Sequence, residues 1–564
     1  MKAIFLKAKQ LIEEENFHAL SDIQCQKPYT FNWVKEIFEG IHLEKTPEKT
    51  ALLWTDGSHT QAYSFKKLSQ EANQILNFLR KKGVQQQDTV LTQMMLEPIN
   101  WTMMLAVIKG GFQLVPAAGI LGIQDIVYRF KQIFPSVVFA NLDNAYKTEE
   151  AEKLIGKTIK VKILVDAKRP GWFSLEDISK EVNEAEAAST HSDDTLFMFF
   201  TSGTTGLPKI VCHTHLSQAF GHLATASWIG LQENDLHYNI SQPGWAKFSW
   251  SSFFTPWNIG CCIFAYHSSE RFNAQKTLEQ IQKHKVTTLC APPTVLRLFI
   301  YEDLKSYRFS LRQCVAAGEP LNPEVIEQWK KSTGIMIRDG FGQTETSCII
   351  ANLPNTAIKI GSMGRPTFMY KVIIADDKGC ELPIYEEGNI CLKIDKEVIN
   401  GLFKTYLYDE DKERQVFKHG LYYTGDRAYK DEDDYIWFIG RDDDLIKASD
   451  YRIGPFEVES VLIEHPAVIE CAVVGSPHPV KGLEVKAFVV LTQSFKASAD
   501  LAQTLFNYSR EHLAPYKMPR IIEFVEELPK TISGKIRRVE LRKQEKENKK
   551  KGSTSPQEYL YQKK

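Results

Sequence analysis

A short segment after a buried strand combines hydroxyl side chains, glycines and a lysine. It follows the apolar strand predicted over residues 195–200 and has the sequence Thr201-Ser202-Gly203-Thr204-Thr205-Gly206-Leu207-Pro208-Lys209. Small residues and glycines let successive backbone N–H groups turn toward one anion, and the hydroxyls and Lys209 add further donors. The segment is therefore predicted to bind a phosphate group.

This segment is not a Walker A loop. That motif needs a Gly-Lys pair followed by Ser or Thr, whereas here Gly206 and Lys209 are three residues apart and Ile210 follows. An isolated loop of Gly, Ser and Thr is more often a flexible polar turn, but the full string is far more specific and favours phosphate binding.

The string resembles the phosphate loop of the adenylate-forming (AMP-binding) superfamily, which contains acyl-CoA synthetases, luciferases and peptide-synthetase adenylation domains. The resemblance extends from about residue 30 to 541 and includes several motifs in the family's order. The overall pattern is most similar to medium-chain acyl-CoA synthetases.

Two further segments resemble the family's nucleotide motifs. Gly318-Glu319-Pro320 is similar to the segment whose backbone lies against adenine, and Asp339-Gly340-Phe341-Gly342-Gln343-Thr344-Glu345 is similar to the second nucleotide motif. The resemblance implies that Thr344 contacts the α-phosphate and that Glu345 helps to hold Mg²⁺. Attack at the α-phosphorus builds charge on its oxygens, and a hard cation with oxygen ligands offsets that charge.

A third motif, Tyr423-Thr424-Gly425-Asp426, resembles the one whose Asp accepts hydrogen bonds from the ribose hydroxyls. Arg441 matches a second ribose or phosphate contact, and Asp443 matches the hinge between a large and a small domain. For Asp442 and Asp444, a solvated acidic turn is favoured over a functional role.

Pro529-Lys530-Thr531-Ile532-Ser533-Gly534-Lys535 resembles the family's terminal motif. The resemblance implies that Lys535 reaches from the small domain to the reacting carboxylate and phosphate. A long flexible stem with a point charge suits the bridging of two anions. With Lys209, Thr344 and Glu345, Lys535 completes the predicted catalytic set.

A stretch of the small domain, Tyr451-Arg452-Ile453-Gly454-Pro455-Phe456-Glu457, resembles the one that faces the active site during thioester formation with coenzyme A. Ser449 and Asp450 precede it and are predicted with Tyr451 and Arg452 to contact CoA. Many family members have Gly where this chain has Asp450, so its side chain must point away from the path of the pantetheine arm. Lys481 and Arg520 are further candidates to bind the CoA phosphates.

The resemblance implies two chemical steps. A carboxylate attacks the α-phosphate of ATP and gives acyl-AMP and pyrophosphate. The CoA thiol then attacks the acyl carbonyl and AMP leaves, with a rotation of the small domain between the steps.

Three residues are predicted to line the acyl pocket. Acetyl-CoA synthetases have a pocket-closing Trp where this chain has Gly342, so we expect room for a longer or branched acid. Trp245 matches a family aromatic beside the carboxylate, and Ala317 is expected to lie nearby. The position of Lys247, at the end of the pocket or facing solvent, stays open.

The elements that must position these residues alternate between strand and helix. Helices are predicted over 64–83 and 99–109, and buried strands near 90, 113–117, 136–140, 161–165, 195–200, 286–291 and 313–317. This alternation predicts an α/β fold with parallel sheets covered by helices. Shorter strands after about residue 365 indicate a β-rich subdomain.

We therefore predict three regions. Residues 1–442 form the AMP-binding domain with its β-rich subdomain, residues 443–541 form a small mobile α+β domain, and residues 542–564 form a charged, disordered tail. The tail is rich in Lys, Glu and Gln, which is typical of solvated chain ends.

Composition excludes several classes of function. The 564-residue chain has a net charge of -1, so no overall charge selects nucleic acid. No apolar run approaches the roughly 20 residues of a membrane helix. The ten cysteines lack metal-binding spacing and are expected to be reduced and mostly buried. With no apolar signal-peptide core near the N-terminus, we expect a cytoplasmic protein; its oligomeric state stays open.

Two alternatives to an acyl-CoA synthetase remain. One is a ligase that delivers acyl-AMP to an acceptor other than CoA. The other is a nucleotide-binding protein without enzymatic activity, against which the retained Lys209, Asp426, Arg441 and Lys535 argue. Pyrophosphate exchange separates the non-enzyme from both ligases.

Overall fold

The structure, a computed structural model, describes residues 1–23, 26–201, 208–268, 272–395, 400–448, 451–479, 482–530 and 535–561. The chain divides into two compact units. Unit 1 comprises Met1–Thr201, Pro208–Lys371 and Ile394–Gln415, and unit 2 comprises Val372–Lys393 and Val416–Lys564.

The strands are, in chain order, β1 (Thr50–Thr55), β2 (Thr60–Ser64), β3 (Thr89–Met94), β4 (Gln113–Ala118), β5 (Val137–Ala140), β6 (Val161–Leu164), β7 (Phe173–Ser174), β8 (Thr195–Thr201), β9 (Lys209–Thr214), β10 (Leu236–Asn239), β11 (Cys262–Tyr266), β12 (Thr288–Ala291), β13 (Gln313–Ala316), β14 (Ile337–Gly342), β15 (Cys348–Ala351), β16 (Arg365–Pro366), β17 (Val372–Ala375), β18 (Gly388–Lys393), β19 (Thr405–Leu407), β20 (Phe417–Lys418), β21 (Leu421–Lys430), β22 (Ile436–Arg441), β23 (Ile446–Ala448), β24 (Tyr451–Ile453), β25 (Val468–His478), β26 (Gly482–Leu491), β27 (Ile521–Phe524) and β28 (Glu558–Leu560).

The α-helices are α1 (Lys2–Glu13), α2 (Phe17–Ser21), α3 (Phe65–Lys81), α4 (Ile99–Gly110), α5 (Ile123–Gln132), α6 (Leu142–Ile155), α7 (Leu175–Ile178), α8 (His215–Ile229), α9 (Ala246–Ser249), α10 (Thr255–Ile259), α11 (Ala274–Lys283), α12 (Pro293–Ile300), α13 (Pro323–Thr333), α14 (Glu410–Val416), α15 (Pro455–Glu464), α16 (Ala499–His512) and α17 (Arg538–Lys551). Two π-helical segments, Val34–Leu43 and Trp250–Phe254, and a 3₁₀ turn, Leu304–Ser306, complete the helical elements.

Unit 1 contains two large sheets. One has the strand order β16-β15-β14-β13-β12-β10-β11-β1-β2, and the other has the order β19-β9-β8-β4-β3-β5-β6-β7. The central strands of both sheets run parallel, while β2, β9, β15, β16 and β19 add antiparallel pairs at the ends. Central strands such as β3, β5 and β8 are almost entirely buried, as expected for parallel sheets covered on both faces.

Unit 2 also contains two sheets. The first, antiparallel throughout, joins β17, β18, β21 and β20, and β22 pairs with β21. The second has the order β24-β23-β26-β27-β28, and β25 pairs with β26. The helices α15 and α16 pack their apolar side chains, including Val458, Leu462, Leu505 and Phe506, into the core of this second sheet.

The predicted fold class, an α/β protein with parallel sheets and β-rich parts, is confirmed. The helix predicted over residues 64–83 is α3, in which the Ser64 hydroxyl accepts a hydrogen bond from Lys67 N at 3.2 Å as an N-cap. The domain boundary at 442/443 stays a prediction.

The prediction of a disordered tail after residue 541 is wrong. Helix α17 continues to Lys551, and β28 pairs antiparallel with β27, with Leu560 opposite Ile521. Two kinds of contact hold the C-terminal segment: Tyr559 and Tyr561 pack against the core of unit 2, and a buried cluster of charges joins the segment to the sheet. The fully buried ammonium of Lys486 lies 2.6 Å from Glu545 and 2.5 Å from Glu558, and both acids belong to the predicted tail.

A third carboxylate, Glu523, lies 2.7 Å from the Lys486 ammonium. Burial by itself would lower the pKa of Lys486, but hydrogen bonds to Glu523, Glu545 and Glu558 outweigh burial and raise it. Lys549 adds a second positive charge, 3.1 Å from Glu558. The cluster therefore fixes the C-terminal segment to the sheet of unit 2.

We expect Lys486→Met to destabilise unit 2 by about 3–5 kcal/mol, since three buried carboxylates then face one another without their shared cation. Thermal and urea unfolding measure the loss. The matched control is Lys393→Met in the same unit, whose half-exposed pair with Glu381 (3.1 Å) should contribute about 0–1 kcal/mol. Equal losses in the two variants would contradict the role given to the buried cluster.

Within the described ranges, every helix is too short or too polar to cross a membrane. The cysteines in those ranges are free thiols and most are buried, as the sequence predicts.

Candidate active site

The ends of the predicted phosphate loop lie on two paired strands of unit 1. Thr201 ends β8 and is opposite Lys209, which begins β9. The Thr201 hydroxyl is buried and has no hydrogen-bond partner among the described residues. This is consistent with a side chain that binds an anion. Ser202, Gly203, Thr204, Thr205 and Gly206 lie outside the described residues.

Lys209 and Glu345, predicted from different motifs, form an ion pair in unit 1. The Lys209 ammonium lies 2.6 Å from Glu345 Oε1. The Tyr406 hydroxyl donates a hydrogen bond to the same carboxylate oxygen at 2.8 Å and accepts one from the Lys209 ammonium at 3.0 Å. Three side chains from distant parts of the sequence therefore meet around one buried carboxylate.

Burial by itself would raise the pKa of Glu345, but the charge and hydrogen bond of Lys209, together with the Tyr406 hydroxyl, outweigh burial and lower it. The carboxylate is thus held ionised at neutral pH. One ionised carboxylate beside a phosphate-binding segment fits a Mg²⁺ site, because Mg²⁺ usually takes one or two carboxylates together with substrate phosphate oxygens.

The sequence interpretation missed Tyr406 and His213. Tyr406 lies on β19 directly opposite Val211 of β9, so it shares a sheet face with Lys209 and His213, two residues to either side. The ring of His213 bonds to the Thr344 carbonyl at 2.7 Å and supports the turn before Glu345. Strand alternation could have placed His213 beside Lys209, but nothing local indicates Tyr406.

The second nucleotide motif runs along β14 into a turn. The backbone N–H of Gln343 donates to the Thr346 hydroxyl at 3.0 Å, and Thr346 N donates to the Gln343 carbonyl, which fixes the residues around Thr344. Burial raises the pKa of Asp339 to about 7. Phe341 lies opposite Ile350 of β15.

The glycines of this motif are required by packing. A Cβ at Gly340 would lie 2.4 Å from the Trp228 ring. A Cβ at Gly342 would lie 2.1 Å from the Ser347 carbonyl oxygen, where β14 and β15 meet at an irregular register. The expectation that Gly342 leaves room for a longer acyl chain stays a prediction; in the direction of a Cβ, the backbone of Ser347 leaves no space for a side chain.

The predicted adenine-side segment follows β13. Gly318 and Pro320 are exposed, and the Glu319 carboxylate accepts a hydrogen bond from the Thr294 hydroxyl. Gly318 has a φ of 107°, a conformation that residues with a side chain rarely adopt, so the turn needs glycine for its backbone.

Lys247 is a neighbour of both residues predicted for the acyl pocket: it follows Trp245 by two positions and hydrogen-bonds to Ala317. Trp245 precedes α9 and packs against the core that contains Ala118. The Lys247 ammonium donates a hydrogen bond to the Ala317 carbonyl at 3.2 Å. A Cβ at Gly244 would lie 2.3 Å from Ala118 N, so glycine lets this segment approach the end of β4. The half-buried Lys247 thus belongs to the Ala317 side of the site.

In unit 2, the predicted ribose contacts lie on neighbouring strands. Asp426 of β21 is opposite Arg441 of β22, and the guanidinium of Arg441 lies 3.7 Å from the buried Asp426 carboxylate. Arg441 also lies 3.4 Å from the carboxylate of Asp443, the predicted hinge. These three residues form one connected charged group.

Each predicted CoA contact in the described part of unit 2 has its own neighbours. Tyr451 is exposed and stacks on Tyr516 with ring centroids 4.2 Å apart. Arg452 lines a polar cavity of about 290 Å³, and Arg520 lies against the Tyr561 ring with 5.3 Å from guanidinium carbon to ring centroid. Lys535 is exposed. Ser449, Asp450 and Lys481 lie outside the described residues.

The two neighbours of Asp443 differ. The Asp442 side chain is 61% exposed, as expected for a solvated turn. The Asp444 side chain is only 10% exposed and pairs with Arg542. The expectation of a solvated acid at Asp444 is wrong, because its partner lies almost a hundred residues further along the chain.

Sequence comparison identifies two matched regions. The pattern of the AMP-binding enzyme family matches residues 41–407, and that of the AMP-binding enzyme C-terminal domain matches residues 457–535. The 4-hydroxybutyrate–CoA ligase 1 of Metallosphaera sedula is 47% identical over 94% of this chain and 93% of its own. The mitochondrial acyl-coenzyme A synthetase ACSM3 of Mus musculus is 39% identical over 93% of this chain and 92% of its own.

Solved structures agree with these matches. The anthranilate CoA ligase AuaEII in complex with anthranoyl-AMP superposes with a TM-score of 0.84 and 30% identity, covering 92% of this chain and 98% of its own. A benzoate CoA ligase from Burkholderia xenovorans LB400 gives a TM-score of 0.79 with 27% identity, covering 91% and 100%.

Proposed function

The chain belongs to the AMP-binding enzyme family, and on that premise we propose that it is an AMP-forming acyl-CoA synthetase. Its substrates are a carboxylic acid, ATP and CoA. The observation that carries the proposal is the cluster of Lys209, Glu345 and Tyr406, which brings together a cation beside the phosphate segment and an ionised carboxylate suited to Mg²⁺.

In the first step, a carboxylate oxygen of the acid attacks the α-phosphorus, and pyrophosphate leaves. Lys209 and Thr344 offset the charge on the phosphate oxygens. Glu345 would hold Mg²⁺, which would supply further positive charge there. His213 holds the Thr344 backbone in place. Asp426 accepts hydrogen bonds from the ribose, and Lys535 neutralises the approaching carboxylate.

In the second step, the CoA thiolate attacks the acyl carbonyl, a C–S bond forms, and AMP leaves with the oxygen that joined it to the acyl group. Tyr451, Arg452 and Arg520 are the described residues assigned to this step. Between the two steps the backbone of Asp443 changes conformation. Lys535 then leaves the reacting groups, and Tyr451, Arg452 and Arg520 take its place.

We assign a medium-chain or branched acid as the substrate class. Trp245 packs on an apolar core beside the predicted pocket, and several relatives, including ACSM3 of Mus musculus, are named acyl-coenzyme A synthetases. The contact of Lys247 with the Ala317 carbonyl favours a second candidate class, acids with a distal hydroxyl, and one relative is named for 4-hydroxybutyrate.

A series of straight-chain acids from acetate to decanoate, each with and without a terminal hydroxyl, tests the substrate class. Each buried methylene contributes roughly 0.8 kcal/mol, or about fourfold in kcat/KM. We expect kcat/KM to rise from acetate to an optimum between butyrate and octanoate. A maximum at acetate would contradict the assignment.

Lys247→Met separates the two substrate classes. If the ammonium donates a hydrogen bond to a distal hydroxyl of the substrate, kcat/KM of the variant should fall about tenfold or more on the hydroxy acid. It should change little on the matching unsubstituted acid. Equal changes in kcat/KM on both acids would contradict recognition of a distal hydroxyl by Lys247 and would favour unsubstituted acids as the substrate class.

The two alternatives predict different products. A ligase with another acceptor makes acyl-AMP but releases no AMP when CoA is added, and a non-enzyme shows no acid-dependent pyrophosphate exchange. The cytoplasmic location remains a prediction, and the mouse ACSM3 relative is named as mitochondrial.

A further inference from the structure

Asp444 occupies an unusual position beside the predicted hinge. It follows Asp443 directly, and its backbone N–H donates to the Arg441 carbonyl at 3.0 Å. Its carboxylate pairs with arginines of α17, and only 10% of the side chain is exposed. A buried carboxylate needs charged or hydrogen-bonding partners, and Asp444 has two.

Both partners lie on α17. Arg542 donates to Asp444 Oδ1, and Arg538 lies 3.9 Å from Asp444 Oδ2. Arg538 and Arg542 are four residues apart, so they lie on the same face of the helix. Asp444 therefore holds the first turns of α17 through two positions at once.

Arg538 is also held from the other side. Its guanidinium nitrogen Nη2 donates hydrogen bonds to both carboxylate oxygens of Glu459 of α15, at 2.9 Å to Oε1 and 2.6 Å to Oε2. Glu459 in turn accepts a hydrogen bond from the Val473 backbone at 2.8 Å. The network fixes the rotation of α17 about its axis as well as its position along it.

Helix α17 begins immediately after the segment that carries Lys535. The base of that segment is closed by a hydrogen bond from Arg537 N to the Pro529 carbonyl at 2.8 Å and by a bridge between Lys530 and Ile536. Lys535 lies three residues before Arg538. A shift of the N-terminal end of α17 therefore moves the base of the Lys535 segment directly.

We propose that Asp444 is a positioning residue that couples the hinge to Lys535 through Arg542 and Arg538. The inference rests on the proposed function, in which Lys535 acts in acyl-AMP formation only. When the hinge changes conformation, Asp444 transmits the change to α17 and so to Lys535. Loss of this carboxylate should leave the fold intact and misplace Lys535.

The test compares Asp444→Asn with Asp442→Asn in the full chain. A displacement of about 1 Å at a reacting group can cost about 10²-fold in rate. For Asp444→Asn we expect kcat of acid-dependent ATP–pyrophosphate exchange to fall at least about tenfold, with KM for the acid and ATP nearly unchanged. Thioester formation from supplied acyl-AMP should keep its wild-type rate. Asp442→Asn, with its exposed side chain, should match wild type in both assays.

Three further variants keep the test decisive if Asn disturbs folding. Asp444→Glu keeps the charge and should restore at least part of the exchange rate. Arg542→Gln should give the same phenotype to a similar or smaller extent, and the double variant Asp444→Asn/Arg542→Gln should lose no more than Asp444→Asn alone, because Asp444→Asn already removes the pair with Arg542.

An equal fall of both half-reactions in Asp444→Asn, a wild-type exchange rate, or full additivity of the double variant would overturn the inference. Absence of exchange in the wild-type protein would instead contradict the proposed function.

Discussion

Lys535→Ala is expected to lower acid-dependent ATP–pyrophosphate exchange by about 10²–10³-fold, the loss typical when one preorganised charge is removed from a developing anion. Two anions, the acid's carboxylate and the α-phosphate, must approach each other in this step. Lys535 is the cation assigned to both of them. The rate of thioester formation from supplied acyl-AMP should stay within about a few-fold of wild type, because no such approach occurs in that step.

The matched control is Lys530→Ala. Lys530 belongs to the same segment but pairs with Glu470 at 2.6 Å on the surface of unit 2. We expect exchange in this variant to remain within about a few-fold of wild type. If Lys535→Ala slows both half-reactions to the same extent, or if Lys530→Ala has the same effect, the role of Lys535 in adenylation alone is contradicted.

Glu345→Gln is expected to lower exchange by about 10²–10³-fold and to raise the Mg²⁺ concentration needed for half-maximal rate. The amide keeps the size of the side chain but removes the negative charge that pairs with Lys209 and that would hold the metal ion. Exchange measured across a Mg²⁺ titration reports both effects in one experiment.

Tyr406→Phe is the control for this variant, because it keeps the Glu345 carboxylate and removes only the hydroxyl that donates to Glu345 and accepts from Lys209. A neutral-to-charged hydrogen bond contributes about 1.5–3 kcal/mol, so the loss should be smaller, near tenfold, and the Mg²⁺ requirement should change little. An unchanged Mg²⁺ requirement in Glu345→Gln would contradict the assignment of Glu345 to the metal.

Much of the local structure can be predicted from the sequence. The alternation of apolar strands and amphipathic helices predicts the parallel sheets, and Ser64 and Gly83 mark the two ends of α3 closely. Lys209 and Glu345 are both identified by their motifs. These signals are local, since each depends on residues within a few positions of one another.

What the sequence does not reveal depends on distant pairing. Tyr406 joins Lys209 and Glu345 only because β19 pairs with β9 across almost two hundred residues. The C-terminal segment is held by partners far from it in sequence, the buried Lys486 and the core of unit 2, which the composition of the tail alone cannot reveal.

Gly342 illustrates a different limit. The sequence analysis interprets Gly342 only through the acyl pocket and does not reveal that a Cβ there would lie 2.1 Å from the Ser347 carbonyl oxygen. Because a tryptophan side chain at this position would force the backbone to move, Gly342→Trp would report on packing of β14 against β15 rather than on substrate size.

The most direct test of the central claim follows an oxygen isotope. In acyl-AMP formation the acid's carboxylate oxygen bonds to the α-phosphorus and stays with AMP when CoA displaces it. With ¹⁸O-labelled octanoate, ATP, Mg²⁺ and CoA, mass spectrometry should therefore find octanoyl-CoA together with AMP that carries one ¹⁸O atom. Label in inorganic phosphate with formation of ADP, or AMP without label, would contradict the assignment of this protein as an AMP-forming acyl-CoA synthetase.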